Sequence, residues 1–250
     1  MTAHNDRAAR LRELHRPGDP LILPNVWDAA SARVVATTGY PALATASAAI
    51  AASLGYEDHE GAPMEEMFAV AARIVRAAED LPVTVDAEAG YGLPAADLVA
   101  RLAEIGAVGC NLEDTDHGAG RLTDASAQAE YLAAVREAAR ANGTDLVINA
   151  RVDVFLGKGE PTPEDIDAAL DRGRRYLEAG ADSVYPILLR DETALATLVK
   201  ELPGPVNALC LPGLTVSRLA ELGVARISWG PQAHRHAMGA LKDYVTDLRS

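Results

Sequence analysis

The 250-residue sequence has few aromatic residues, two cysteines and no long apolar run, and each shortage excludes a class of protein. Aromatic side chains make up 4% of the chain, which disfavours an aromatic binding surface and favours close packing of small-residue helices. Cys110 and Cys210 lie in apolar, strand-like segments and are interpreted as reduced core residues. No apolar run approaches membrane-spanning length, and residues 1–10 lack the apolar core of a signal peptide. We therefore expect a soluble cytoplasmic protein.

Basic residues are also scarce, since 23 Lys and Arg face 36 Asp and Glu, for a net charge of −13. Nucleic acids and anionic membranes repel such a polyanion, so neither is expected as a partner. Hydrophobic residues nevertheless make up 49% of the chain, as in a globular protein. An anionic substrate would have to be attracted by a local cation or arginine, and not by the overall field.

Apolar segments that end in polar residues alternate with helical segments eight times along the chain. The predicted strands span residues 21–28, 41–47, 82–86, 109–114, 145–155, 182–187, 205–211 and 226–230. Strand–helix alternation indicates a parallel sheet, and eight units in this length indicate a closed (β/α)8 barrel. The turn after the first strand has no glycine, which disfavours an open dinucleotide-binding sheet. The predicted fold is a single α/β barrel domain over residues 1–250.

The stretch at residues 82–92, P-V-T-V-D-A-E-A-G-Y-G, combines a buried strand with two acids and two glycines. Asp86 and Glu88 are two residues apart, so an extended strand would point both to one face. Paired acids at the end of a buried strand are costly unless a cation or hydrogen-bond donors meet them. A hard divalent cation is one solution. The alternative is that these acids cap the next helix or face water.

Catalytic groups of such barrels lie at the carboxyl ends of the strands. The polar residues there are predicted to be Asp28, Ser47, Asp86, Glu88, Glu113, Asp114, Arg151, Asp153, Tyr185, Asn207 and Trp229. The acids concentrate on strands three to five, which suits a Mg²⁺ ion that holds an α-keto acid or enolate. Arg151 is interpreted as the partner of a substrate carboxylate. The alternative is a buried salt bridge to Asp153 or Glu113.

The segments V-D-A-E-A-G-Y-G, N-L-E-D and N-A-R-V-D, in this order, resemble the phosphoenolpyruvate mutase/isocitrate lyase superfamily. The resemblance covers about residues 20 to 190. It implies a (β/α)8 barrel, often with the last helix swapped between the subunits of a homodimer or homotetramer. It also implies Mg²⁺, with Mn²⁺ as the other candidate, and the making or breaking of a C–C or P–C bond through a metal-bound enolate. The expected partner is a small α-keto or phosphoenol acid.

The resemblance also assigns roles in metal binding. Asp86 is expected to bind Mg²⁺ directly, and Glu88 and Glu113 are expected to act through water. Glu88 departs from the family, which usually has aspartate there, although its longer side chain suits a water-mediated contact.

The same resemblance places the substrate. Arg151 is expected to contact its carboxylate or phosphoryl group. The backbone at Ser47 and Ala48, in a predicted small-residue loop after strand two, is expected to hold the other end of the keto acid. Asp58 falls where some members carry a loop aspartate near the substrate. Asn207, from strand seven, is a further candidate contact.

The loop after strand four departs most from the family. It has the sequence E-D-T-D-H-G-A-G-R-L-T-D, without the K-K-C-G-H motif of the lyases or the longer loop of the phosphonate-forming mutases. Cleavage of isocitrate or methylisocitrate by the usual mechanism is therefore not expected. Glycines beside His117 and Arg121 would let the loop move as a lid. His117 is the candidate general acid or base, and the alternative is a solvated loop histidine.

Three kinds of function stay open. The first is a Mg²⁺-dependent lyase or mutase, or a smaller reaction of the same family such as decarboxylation or hydrolysis of an oxaloacetate-type acid. The second is a metal-dependent aldolase barrel, which the order of the acidic motifs disfavours. The third is a barrel that keeps the metal site and binds an oxo acid without turnover.

Overall fold

The structure is a computed structural model, and it describes residues 3–248. Its strands are β1 (Leu21–Leu23), β2 (Asn25–Val26), β3 (Leu43–Thr45), β4 (Val83–Asp86), β5 (Gly109–Glu113), β6 (Thr115–Asp116), β7 (Arg121–Leu122), β8 (Val147–Val152), β9 (Ser183–Pro186), β10 (Asn207–Leu209) and β11 (Arg226–Ser228). Its helices are α1 (Ala3–Glu13), α2 (Ala29–Ala36), α3 (Ser47–Leu54), α4 (Met64–Ala77), α5 (Ala95–Glu104), α6 (Ala125–Asn142), α7 (Pro163–Glu178), α8 (Glu192–Glu201), α9 (Val216–Glu221) and α10 (Gln232–Asp247).

The parallel strands pair in the order of a barrel. Pro24, which has no N–H to donate, divides the first predicted strand into β1 and β2. β2 begins the series β2-β3-β4-β5-β8-β9, and β1 begins the series β1-β11-β10. A parallel bridge between Val184 and Val206 joins β9 to the segment that precedes β10. The eight predicted strands therefore follow one another around a ring, and the predicted barrel fold is confirmed.

Helix α1 covers the amino-terminal end of this ring. Ala8 and Leu11 are fully buried and cluster with Leu21, Val108 and Val147, which lie at or just before the starts of three strands. Burying these side chains removes apolar surface from water at this end of the barrel. The carboxyl ends of the strands are at the opposite end, which is where the polar residues collect.

Two segments differ from the sequence-based prediction. The small-residue loop predicted after strand two is helix α3, which ends at Gly55 in the left-handed conformation, with φ of 88°. The loop predicted after strand four contains a short antiparallel hairpin, in which Thr115 of β6 pairs with Leu122 of β7. Both segments border the predicted site, and both contain regular secondary structure where the sequence predicted a loop.

The last helix, α10, has no buried residue among those described. Its large exposed apolar side chains are Met238, Leu241, Tyr244 and Val245. The exchange of this helix between subunits, and a homodimer or homotetramer, stay predictions. Cys110 and Cys210 are buried free thiols, as predicted. Across residues 3–248, every helix is too short or too polar to cross a bilayer.

Candidate active site

Asp86, the last residue of β4, contacts the first turn of α3. The Ser47 backbone N–H and hydroxyl both donate to Asp86 Oδ2, over 3.2 and 2.9 Å. The Asp86 N–H donates to Thr45 Oγ1 over 2.8 Å, which fixes the backbone at the strand end. Asp86 Oδ1 is buried and has no hydrogen-bond partner within residues 3–248. One oxygen of this carboxylate is thus held by the protein, and the other is available to a ligand.

Glu88 does not continue the strand, so the expected alternation of Asp86 and Glu88 along one strand face is wrong. Glu88 has a left-handed backbone, with φ of 50°, in the turn that follows β4. Its carboxylate accepts hydrogen bonds from the Glu60 N–H and from the Tyr91 hydroxyl. Burial raises the pKa of Glu88 to about 7. Both of its oxygens therefore already have protein donors.

Glu113 and Arg151 are neighbours across β5 and β8, where their Cα atoms are in register. Glu113 Oε2 forms an ion pair with Arg151 Nη1, without the alignment of a hydrogen bond. Arg151 also donates from Nε and Nη2 to the two oxygens of Asp153, over 2.6 and 2.9 Å. The salt bridges considered as the alternative for Arg151 are therefore present. A guanidinium has five N–H donors, and these contacts use three, so Arg151 retains capacity for a substrate oxygen.

His117 lies between the two strands of the hairpin. Its Nε2 is 2.5 Å from Glu113 Oε1, and its side chain is 12% exposed. The hydrogen bond to Glu113 raises the pKa of His117, and burial raises the pKa of Glu113 to about 7. A solvated loop histidine does not describe this contact. Its role as general acid or base stays a prediction.

The acid next to Glu113 has a structural role. Asp114 is fully buried, and its Oδ1 accepts a hydrogen bond from the Asp153 N–H over 2.9 Å. Its Oδ2 accepts hydrogen bonds from Arg172 and Tyr176 of α7, over 2.9 and 2.7 Å. These contacts fasten α7 to the carboxyl end of β5, so Asp114 is accounted for without a ligand.

A cavity of about 470 Å³ opens at this end of the barrel. The predicted site residues that line it are Ser47, Ala48, Asp58, Asp86, Arg151, Tyr185 and Trp229. Asp58 Oδ1 is buried without a hydrogen-bond partner among the described residues. Other lining residues that sequence reasoning missed include His59 and Arg190, which lie in connections, and Arg235, in the first turn of α10; none belongs to a strand-end motif.

Asn207 is fully buried at the start of β10, and its Nδ2 donates to Ser228 Oγ over 3.4 Å. Leu209 and Leu211, further along the same segment, line the cavity. Asn207 therefore lies deeper in the barrel than the cavity wall, and its contact with substrate stays a prediction.

The residues fit the metal that the sequence predicts. Among Asp86, Glu88 and Glu113, only Asp86 keeps an oxygen without a protein contact within the described chain. An all-oxygen donor set suits a hard cation such as Mg²⁺, which usually keeps several waters. This distribution of contacts is what a direct ligand at Asp86 and water-mediated ligands at the two glutamates would require.

Comparison with known proteins identifies the family. Residues 11–249 match the family model described as phosphoenolpyruvate phosphomutase, so the chain belongs to this family, as its motifs predicted. It is 34% identical over 238 residues to an uncharacterized protein of Mycobacterium tuberculosis, covering 92% of this chain and 88% of the relative. It is 30% identical over 217 residues to 2-methylisocitrate lyase of Bacillus subtilis, covering 83% and 68%.

Among solved structures, a candidate phosphonomutase from Burkholderia cenocepacia J2315 is 44% identical and superposes with a TM-score of 0.93. The match covers 98% of this chain and 99% of that one. The expectation of an enzyme of the lyase and phosphomutase class is thereby confirmed at the level of the family.

Proposed function

We propose that this protein is a Mg²⁺-dependent enzyme that makes or breaks a C–C or P–C bond next to the carbonyl of a small α-keto acid. The observation that carries the proposal is that Asp86, whose Oδ1 has no hydrogen-bond partner among residues 3–248, lines a cavity together with Arg151, Arg190 and Arg235. The free oxygen offers a cation ligand, and the guanidinium groups attract and orient the carboxylate or phosphoryl group of an anion.

The chain's own residues would bind and orient the acid. The two hydrogen bonds to Asp153 fix the orientation of the Arg151 guanidinium, whose remaining N–H donors would bind one end of the substrate. Ser47 and Ala48 lie in the first turn of α3, where the helix dipole favours a carboxylate. Because the Ser47 N–H already donates to Asp86, the Ala48 N–H would be the donor to the substrate. A Mg²⁺ ion at Asp86, when bound, would supply Lewis acidity that stabilises negative charge on the keto oxygen.

His117 would hold or move the proton. Its contact with Glu113 orients the imidazole in the turn between β6 and β7. A proton at an imidazole nitrogen could pass to the substrate carbon once the bond next to the carbonyl has broken. This arrangement replaces the missing lysine–cysteine motif with one histidine. A cleavage of a short acid, including decarboxylation or hydrolysis of an oxaloacetate-type compound, is the second candidate, because it asks less of this loop.

Oxalate, which mimics the enolate of pyruvate, tests the site. We would measure its binding by calorimetry with and without Mg²⁺, in the wild type, in Asp86→Asn and in Asp97→Asn. Asp97 is an exposed acid on α5 and serves as the matched control. Metal-dependent binding that survives in Asp97→Asn and is lost in Asp86→Asn would support the proposal. Equal binding in all three proteins would refute the role of Asp86.

Turnover is the second part of the test. Oxaloacetate, phosphonopyruvate and 2-methylisocitrate would be screened with the wild type and with His117→Ala. We expect turnover of a short oxo acid that His117→Ala abolishes while oxalate still binds. Turnover unchanged in His117→Ala would reject the histidine as acid or base, and oxalate binding without any turnover would favour a binding protein.

A further inference from the structure

A second group of possible metal ligands lies beside the proposed Mg²⁺ site. His59, Glu113 and His117 each offer one ligand atom, and these three atoms all lie within 4.8 Å of one another. The three residues come from two separate connections and from the end of β5. Two of them carry nitrogen ligands, which sets this group apart from the oxygen ligands around Asp86.

The orientation of the three side chains brings their ligand atoms together. The ring centroids of His59 and His117 are 5.1 Å apart, with an angle of 42° between the ring planes. The two oxygens of the Glu113 carboxylate have different partners, because Oε2 contacts Arg151 while Oε1 lies 2.5 Å from His117 Nε2. The oxygen that faces the histidines is thus separate from the one that the arginine neutralises.

The backbone holds His59 in place at some cost. His59 and Glu60 are consecutive residues with left-handed backbones, at φ of 64° and 59°. Such residues are retained when the surrounding structure fixes them, and they are frequent at ligand sites. Here the Glu60 N–H donates to Glu88, and Glu60 Oε1 accepts a hydrogen bond from the Tyr91 N–H over 2.6 Å. These two contacts tie the segment that carries His59 to the turn after β4.

We propose that His59, Glu113 and His117 form a binding site for a transition-metal ion such as Zn²⁺ or Co²⁺, distinct from the Mg²⁺ position at Asp86. Two imidazoles and a carboxylate are ligands that these ions accept at about 2.0–2.2 Å. On binding, His117 Nε2 gives up any proton to water and directs its lone pair to the ion, in place of its hydrogen bond to Glu113. A metal-bound His117 therefore cannot also be the general acid or base of the proposed reaction. Three protein ligands leave at least one position for water or for an anion.

The two ions would be separated by ligand chemistry. Mg²⁺ prefers oxygen and retains water, whereas imidazole suits Zn²⁺, Co²⁺ and Ni²⁺. Glu113 is shared by the two groups, but Asp86 belongs only to the first and His59 only to the second. Variants at these two residues therefore distinguish the sites.

The experiment is a Co²⁺ titration of the metal-free protein, followed by the visible absorption of the bound ion. We would compare the wild type with His59→Ala, His117→Ala and Asp86→Asn, and with His236→Ala as an exposed histidine outside the cluster. Wild type, Asp86→Asn and His236→Ala should bind one Co²⁺ with the same spectrum. Each of the two cluster variants should bind it at least about tenfold more weakly. His59 is exposed, so His59→Ala is not expected to disturb folding, and far-ultraviolet circular dichroism checks this for each variant.

Two results would overturn the proposal. Absorption unchanged in both His59→Ala and His117→Ala would show that Co²⁺ binds elsewhere. Absorption lost in Asp86→Asn would show a single metal position at the end of β4. Calorimetry of Mg²⁺ and oxalate with Asp86→Asn, run in parallel, separates this inference from the proposed function, since the proposed function requires that binding to be lost while Co²⁺ is still bound.

Discussion

Replacing Ser47 by alanine tests how Asp86 is oriented. The Ser47 hydroxyl donates to Asp86 Oδ2 over 2.9 Å, and the Ser47 N–H donates to the same oxygen over 3.2 Å. Together these bonds fix Oδ2, and under the proposed function they leave Oδ1 for the cation. The substitution removes the hydroxyl bond and keeps the backbone bond, so the carboxylate should lose part of its orientation and none of its charge.

The magnitude follows from the kind of bond that is lost. A hydrogen bond to a charged group contributes about 1.5–3 kcal/mol, and removing a group that orients a metal ligand commonly weakens metal binding by about 10–100-fold. Because the backbone bond remains and Asp86 is not fully buried, the lower end of this range applies. We expect Ser47→Ala to weaken Mg²⁺-dependent oxalate binding about tenfold, or about 1.4 kcal/mol.

The assay is calorimetric titration of oxalate at several Mg²⁺ concentrations. Ser53→Ala is the matched control, because Ser53 lies in the same helix and donates within it to the Ala49 carbonyl over 2.8 Å. The control should bind as the wild type does. If Ser47→Ala binds within twofold of the wild type while Asp86→Asn does not bind, the hydroxyl does not orient the carboxylate. If all variants bind equally, Asp86 is not the ligand.

Three further predictions concern stability. Tyr176→Phe removes a hydrogen bond to the buried Asp114 and should lower the free energy of unfolding by about 1.5–3 kcal/mol, seen as a fall of about 3–12 °C in Tm by circular dichroism. Burial lowers the pKa of His15 from 6.5 to about 4, so the unfolded chain takes up a proton that the folded chain refuses between these values. Stability is therefore lost as pH falls through this window, by about 2 kcal/mol between pH 7 and pH 5 in urea unfolding. Gly109→Ala should lower the free energy of unfolding by about 1–3 kcal/mol, because its Cβ would lie 3.0 Å from the Val147 carbonyl oxygen.

Each of these has a control and a contradicting outcome. Tyr40→Phe changes an exposed tyrosine, and an equal fall in Tm would show that the Asp114 bond contributes nothing. His15→Gln should remove the extra pH dependence, and an identical slope in the variant would assign it to other groups. Gly239→Ala adds a Cβ in open space, so a loss of stability as large as that of Gly109→Ala would contradict the steric argument.

The barrel could be predicted from the sequence because its strands carry their own signal. Segments such as Val83–Asp86 and Val147–Val152 are rich in apolar, β-branched residues and are bounded by turns, and burial on both faces favours that composition. Their carboxyl ends fix which side chains reach the mouth, and so Asp86 and Arg151 were found. Each strand and the polar residue at its end could thus be predicted from a few consecutive residues.

Features that depend on distant partners could not be predicted. Helix α3 begins without a capping side chain, since Ala46 is at its N-cap, and the Ser47 N–H is met instead by Asp86, 39 residues away. The sequence therefore has no capping residue that would mark the start of a helix here, and its small residues are typical of a loop. Glu88 fails for another reason, because a left-handed residue breaks the alternation on which its predicted direction was based.

The charge of the cavity explains how an acidic protein could receive an anionic substrate. The net charge of −13 repels anions at long range, but salt at physiological strength screens such fields beyond about 8 Å. Inside that distance the local groups decide, and Arg190 and Arg235 are exposed residues that line the cavity. Burial also lowers the negative charge of two nearby acids, because it raises the pKa of Glu88 and Glu113 to about 7. A divalent cation at this position would favour their ionised forms, so cation binding and charge at the site should increase together.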